Sequence, residues 1–132
     1  MKFFIPGPLP GLNEIIQASK KEIKWLRRGK KRCYEITQLK EIWTNRVAAR
    51  FIEQVGIPEQ PISIKISLYC EWIEPNNRRD PDNVFAGVKF ILDGLETARF
   101  IKRDSRKWIS GINNVFGKND SKFPGVIVRI FE

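Results

Sequence analysis

Histidine is absent from this chain and cysteine is nearly so. None of the 132 residues is histidine, and two are cysteine, Cys33 and Cys70. The lack of histidine excludes Ser/His and Cys/His nucleophiles, imidazole general bases and zinc sites that need imidazole. The two separated cysteines have no metal-ligand spacing and cannot form a structural zinc site. We interpret them as reduced thiols of a cytoplasmic protein. Carboxylates, lysines and hydroxyls are left to carry any chemistry.

Long apolar runs and an excess of acidic residues are also lacking. No run is long enough to span a membrane, and prolines and glycine interrupt the apolar opening from Pro6 onward, so we predict no membrane segment and no signal peptide. Lysine and arginine outnumber aspartate and glutamate by 24 to 15, which gives a formal net charge of +9. This balance favours a polyanionic partner, of which nucleic acid is the commonest.

The apolar spacing predicts a single compact α+β domain over residues 1–132. The clearest strand pattern is at 62–72, where one face is predicted to hold Ile62, Ile64, Ile66, Leu68, Cys70 and Trp72, in alternation with mostly polar residues. Further strands are predicted at 2–6, 106–116 and 126–131. Helices are predicted at 14–28, capped by Asn13, at 34–54, and from 81 to 95. We therefore expect a mixed or antiparallel sheet packed by about three helices.

Two carboxylates bracket a proline at the start of the third predicted helix. Pro81 disfavours a helical backbone at Asp80 and fits the first helical position, so Asp80 is predicted to be an extended N-cap and Asp82 to lie in the first turn. Taken alone, this pattern is typical of a capped helix with a solvated acidic start. In one continuous helix Lys89 and Asp93 share the face of Asp82. Asp93 would lie about 16 Å along the axis, too far for a shared ion, so we expect it to pair with a cation or fix the turn at Gly94.

Several residues in and around this helix resemble a known family. The pattern comprises Arg78-Arg79-Asp80-Pro81-Asp82-Asn83, Lys89, Leu92-Asp93-Gly94-Leu95, Asp104-Ser105 and the opening from Phe3 to Glu14. It is similar to the RusA family of Holliday junction resolvases, which are small, homodimeric, magnesium-dependent endodeoxyribonucleases common in prophages. The resemblance implies Asp80, Asp82 and Asp104 as catalytic, metal-binding aspartates and Lys89 as a catalytic lysine. It leaves Glu71 and Glu74 as surface acids.

The chain also departs from the family pattern. About three extra residues separate Asp82 from Lys89, which moves Lys89 about 4.5 Å along a helix while keeping its face. Some members carry two consecutive acids before the serine, whereas here the first of these positions is Arg103 and Asp104 is the only candidate.

Basic residues form a dense run near the second helix. The run contains Lys24, Arg27, Arg28, Lys30, Lys31 and Arg32 around Trp25. Two interpretations stay open, a solvated helix end favoured by the helix dipole and a phosphate-binding surface. Arg78 and Arg79, immediately before the acidic pair, are predicted to hold flanking phosphates.

Three functions are compatible with these features. The first is a Mg²⁺-dependent endonuclease of four-way or other branched DNA that acts in recombination and repair, with Mn²⁺ as a possible substitute because clustered carboxylates select hard cations. The second is a branched-DNA-binding protein whose acids are structural. The third is a nucleotide hydrolase, which we rank last because no Gly-rich phosphate loop is present.

Overall fold

Four strands form one mixed sheet in the computed structural model, which describes residues 1–27 and 35–132, with the backbone alone for 21–27. The strands are β1 (Lys2–Pro6), β2 (Ile66–Ile73), β3 (Ile109–Phe116) and β4 (Gly125–Phe131), and their order in the sheet is β1-β4-β2-β3. β4 is antiparallel to both β1 and β2, whereas β2 and β3 are parallel. The predicted α+β fold with a mixed sheet is confirmed.

Four helical segments accompany this sheet. They are α1 (Leu12–Arg27), α2 (Glu35–Gln54), α3 (Pro81–Phe85) and α4 (Val88–Thr97). Helix α1 begins one residue before Asn13, so the prediction of Asn13 as its cap is wrong. None of the described helices is both long enough and apolar enough to cross a membrane.

One face of the sheet and two of the helices enclose the core. Four residues of the predicted apolar face, Ile66, Leu68, Cys70 and Trp72, are buried in β2. The strand begins four residues later than predicted, so Ile62 and Ile64 precede it, and Ile64 is 47% exposed. They pack in one cluster with residues of α2 and α4 that include Val47, Phe51, Phe90, Ile91 and Leu95. Burial raises the pKa of the Cys70 thiol to about 12, so the thiol stays protonated at neutral pH. Cys33 lies outside the described residues.

The helix predicted from 81 to 95 is interrupted by a turn at Ala86 and Gly87, which separates α3 from α4. Gly87 is buried against the indole of Trp72, and a Cβ atom at this position would lie 2.9 Å from the ring. Phe85 also lies against Phe116, with ring centroids 4.9 Å apart. This packing on Trp72 and Phe116 coincides with the interruption of the helix, and the face assignments made for one continuous helix do not extend past Phe85.

The two ends of the parallel pair define the geometry of the molecule. Helices α3 and α4 connect β2 to β3, so the chain leaves β2 at one end of the sheet and enters β3 at the other. We call these the carboxyl end, at Ile73 and Phe116, and the amino end, at Ile66 and Ile109. At about 3.3 Å per residue, the two ends of β2 are roughly 23 Å apart.

Candidate active site at the carboxyl end of the parallel strands

Asp80 lies in a cavity of about 370 Å³ at the carboxyl end. Ligands of open α/β sheets commonly bind beyond the carboxyl ends of parallel strands, because loops diverge there. The cavity is lined by Glu74, Asn76, Asn77, Arg79, Asp80, Pro81, Phe116, Gly117 and Asn119. Two backbone hydrogen bonds fix its walls, from Gly117 to the carbonyl of Trp72 at 2.8 Å and from Asp120 to that of Glu74 at 3.0 Å.

The carboxylate of Asp80 does not cap helix α3. The backbone of Asp80 is extended, with φ −72° and ψ 158°, and Pro81 is the first helical residue, as predicted. No side-chain capping hydrogen bond forms. Asp82, in the first turn of α3, is also exposed. Within the described part of the chain neither carboxylate has a hydrogen-bond or ion-pair partner, so both are available to a ligand.

Arg79 is held inside the protein, contrary to the prediction that it binds a phosphate. Its guanidinium donates two hydrogen bonds to the carboxylate of Glu74, at 2.7 and 2.9 Å, and a third to the carbonyl of Leu9 at 2.9 Å. The carboxylate of Glu14 lies 3.6 Å away. The Glu74 side chain is 5% exposed, so its prediction as a surface acid is wrong. A fork-to-fork pair of this kind fixes both partners in orientation.

Glu71, the other acid assigned to the surface, is half-buried. Its carboxylate lies 3.4 Å from the guanidinium of Arg129 on the neighbouring strand β4.

The N-terminal loop passes directly against the acidic turn. The backbone N–H of Asn13 donates to the side-chain oxygen of Asn83 at 3.0 Å. Gly11 packs so closely that an added Cβ would lie 2.8 Å from the carbonyl oxygen of Asn83 and 2.9 Å from the guanidinium of Arg79. Glu14 accepts a hydrogen bond from the N–H of Gly11 at 3.0 Å. The opening of the chain and the Asp80 turn therefore form one rigid unit.

Lys89 lies on the first turn of α4 and is half-exposed. Its ammonium is 3.5 Å from the carboxylate of Asp93, one helical turn later. The prediction that Asp93 pairs with a cation is confirmed. An exposed i,i+4 pair contributes only about 0.3–0.5 kcal/mol, so Lys89 can leave Asp93 at little cost.

Asp104 is not near Asp80 within one chain. It precedes β3 and so lies at the amino end, whereas Asp80 follows β2 and lies at the carboxyl end. The length of β2 sets a separation of roughly 20 Å. Among the side chains that the structure describes, those of residues 1–20 and 35–132, no three histidines, cysteines, aspartates or glutamates are grouped to hold a metal ion. The expectation that Asp104 completes a metal site with Asp80 and Asp82 is wrong for a single chain.

The predicted basic surfaces are only partly described. Arg28, Lys30, Lys31 and Arg32 lie outside the described residues, and Arg27 ends α1 without a described side chain. Arg78 is exposed, and its backbone N–H donates to the side chain of Asn76 at 3.0 Å. Its guanidinium has no ion-pair partner among the described residues, so it is available to a phosphate.

Comparison of the sequence with protein-family models and with curated proteins returns no match. The site is therefore defined by its own geometry. Two residues that shape it, Glu74 and Asn83, had no predicted role. A signal for Glu74 was present, because Glu74 continues the even-numbered positions of Ile66 to Trp72 that point into the core.

Proposed function

We propose that this protein is a magnesium-dependent, structure-selective endodeoxyribonuclease that nicks branched DNA, including four-way junctions, during recombination and repair. The observation that carries this proposal is the pair of exposed, unpaired carboxylates on the turn from Asp80 to Asp82. The turn is anchored by the ion pair of Arg79 with the buried carboxylate of Glu74. The helix dipole favours an acid in the first turn, as for Asp82, but Asp80 makes no capping hydrogen bond, and we assign the two carboxylates together to a ligand. The resemblance to RusA-type resolvases points the same way.

Two carboxylates are a suitable ligand set for Mg²⁺. This ion keeps several of its waters and is usually bound by one or two carboxylates together with substrate phosphates. Asp80 and Asp82 would hold it, and Mn²⁺ would suit the same oxygen ligands. A bound Mg²⁺ lowers the pKa of its water and neutralises charge on a reacting phosphate.

The chain's own cations would position the substrate around this turn. Arg78 lies two residues before Asp80 and is free to bind a flanking phosphate bidentately. Lys89 is available from the first turn of α4 to stabilise negative charge that develops during cleavage. The net charge of +9 suits a polymer of phosphates better than a mononucleotide.

We further propose a homodimer. A four-way junction is two-fold symmetric, and paired nicks need two sites related by the same symmetry. A second protomer is also the route by which Asp104 could approach an Asp80 turn, because the two lie at opposite ends of the sheet in one chain.

A non-catalytic branched-DNA-binding protein is the second candidate. The observation in its favour is the position of Asp104, which within one chain lies at the opposite end of the sheet from Asp80 and Asp82. Such a protein would bind DNA in a salt-sensitive way and would leave it intact with every divalent cation.

Nicking of a synthetic four-way junction and a matched linear duplex separates the two candidates. We expect the native protein to nick the junction with Mg²⁺ and not with EDTA, and Asp82→Asn to nick about 10²–10³-fold more slowly, as when one charge-stabilising group is lost. Glu59→Gln removes one exposed acid elsewhere and should match the native protein. Tight junction binding without nicking under Mg²⁺ or Mn²⁺ would reject the enzyme.

A further inference from the structure

The amino end of the sheet carries a concentrated group of basic side chains. Residues 102–107 contain four cations and one acid, Asp104. A fifth cation, Lys65, is brought beside them because the N–H of Ile66 donates to the carbonyl of Trp108 at 2.9 Å. We call this set the amino-end patch, and it consists of Lys65, Lys102, Arg103, Arg106, Lys107 and Trp108. All five cations are exposed, and among the described residues none has an ion-pair partner.

Trp108 holds two of these cations in place. The ammonium groups of Lys102 and Lys107 lie 5.5 and 5.2 Å from the centre of its indole ring. Two backbone hydrogen bonds to the carbonyl of Ser105, from Trp108 at 3.0 Å and from Ile109 at 2.9 Å, close the loop into a turn. Cation–π contacts at exposed sites are worth only about 0.5–1 kcal/mol each. The ammonium groups are thus oriented but remain free to bind anions.

The alternative to a binding surface is an ordinary solvated loop. Solvated charged surfaces usually mix both signs, because repulsion between like charges is unfavourable. Here residues 102–107 contain four cations and one acid, and Lys65 adds a fifth cation. Glu132 follows β4 at the same end of the sheet, but it forms no ion pair with these cations among the described residues. The excess of positive charge favours a polyanion as the partner.

We propose that the amino-end patch binds the phosphate backbone of DNA, at a distance from the Asp80 turn of the same chain. The separation of roughly 23 Å between the ends of β2 corresponds to about six or seven base pairs at 3.4 Å each. One duplex arm bound at the patch is therefore long enough to reach the carboxyl end. The proposed function enters only in naming DNA as the polyanion, since phosphate binding follows from the patch itself.

Salt-dependent binding tests the patch without cleavage. We would measure the affinity for a fluorescently labelled four-way junction in EDTA, over a range of NaCl, for the native protein and for Lys102→Gln/Lys107→Gln. Loss of two phosphate contacts should weaken binding roughly 30- to 100-fold near 0.1 M salt and lower the slope of log K against log[salt] by about 1.8. Lys102→Arg/Lys107→Arg should restore both quantities.

A matched control carries the same change in charge elsewhere. Lys2→Gln/Lys122→Gln removes two exposed lysines outside the patch and should retain near-native affinity and slope. Equal losses in the two double variants, or an unchanged slope in Lys102→Gln/Lys107→Gln, would overturn the proposal. It would also be overturned if that variant kept its DNA affinity and lost binding to phosphatidylserine vesicles. Absence of nicking by the native protein would reject the proposed function, but it would not affect the conclusion that the amino-end patch binds phosphates.

Discussion

The two ends of the parallel strands carry similar residue types that are held in opposite ways. At the carboxyl end the guanidinium of Arg79 makes four polar contacts, whereas Asp80 and Asp82 have no partner among the described residues. At the amino end the cations are exposed around one tryptophan, and within the described part of the chain they have no ion-pair partner. The contrast shows that a basic residue next to an acidic motif need not bind substrate. By residue type alone, Arg79 and Lys102 are equivalent cations. Their contacts in the structure differ, and we therefore propose different roles for them.

The strongest test of this contrast is Arg79→Met. The substitution keeps a long side chain but leaves the buried carboxylate of Glu74 unpaired, which typically costs about 3–5 kcal/mol of folding free energy. We expect a loss of this size in urea unfolding. The matched control is Arg50→Gln, which removes an exposed partner of Glu53 at 3.1 Å. Such surface pairs are worth about 1 kcal/mol or less. If the two variants unfolded at the same urea concentration, Arg79 would not be the structural residue described above.

Lys89→Gln tests whether the half-exposed lysine on the first turn of α4 acts on substrate. If Lys89 stabilises charge on the reacting phosphate, nicking should slow by about 10²-fold or more while folding free energy changes by under about 0.5 kcal/mol. Asp93→Asn breaks the same ion pair from the other side and should leave nicking nearly native. Equal, small effects of both substitutions on nicking would assign Lys89 a purely structural role.

Mixing two inactive variants tests the position of Asp104. If Asp104 of one protomer serves the Asp80 turn of another, then Asp80→Asn and Asp104→Asn are each inactive alone. Free exchange of protomers at equal concentrations should restore about a quarter of native nicking, because half of the dimers are mixed and each has one intact site. No recovery after exchange, verified by native mass spectrometry, would show that Asp104 does not act across a dimer. Full activity of Asp104→Asn alone would exclude it from catalysis.

Much of the fold was predictable from the sequence because its signals are local. The alternation of Ile66 to Trp72 identified the central strand and its inner face, and Pro81 fixed the start of α3. The break at Gly87 was not predicted, because a glycine inside an apolar periodic segment normally costs only about 1 kcal/mol. The interruption coincides with the packing of Gly87 on Trp72, a contact between residues distant in sequence that only the structure shows.

The candidate site was predicted in part. Asp80 and Asp82 are local to one turn, so their proximity followed from spacing alone. The pairing of Arg79 with Glu74 was not predictable, because it depends on how the loop after β2 folds back. The inward position of Glu74 was predictable, because Glu74 continues the alternation of buried residues along β2. The position of Asp104 was also predictable. Two strands joined by a helix normally pair in parallel, so a residue just before the second strand lies at the opposite end of the sheet from a residue just after the first.

The most direct measurement compares variants of the two ends in the same two assays. Junction binding in EDTA and single-turnover nicking with Mg²⁺ at saturating protein would be recorded for Asp80→Asn and for Lys102→Gln/Lys107→Gln. We predict that Asp80→Asn loses nicking and keeps its affinity, whereas the lysine variant loses affinity and still nicks the DNA that it binds. Metal-dependent nicking by Asp80→Asn at the native rate would contradict the assignment of chemistry to the carboxyl end.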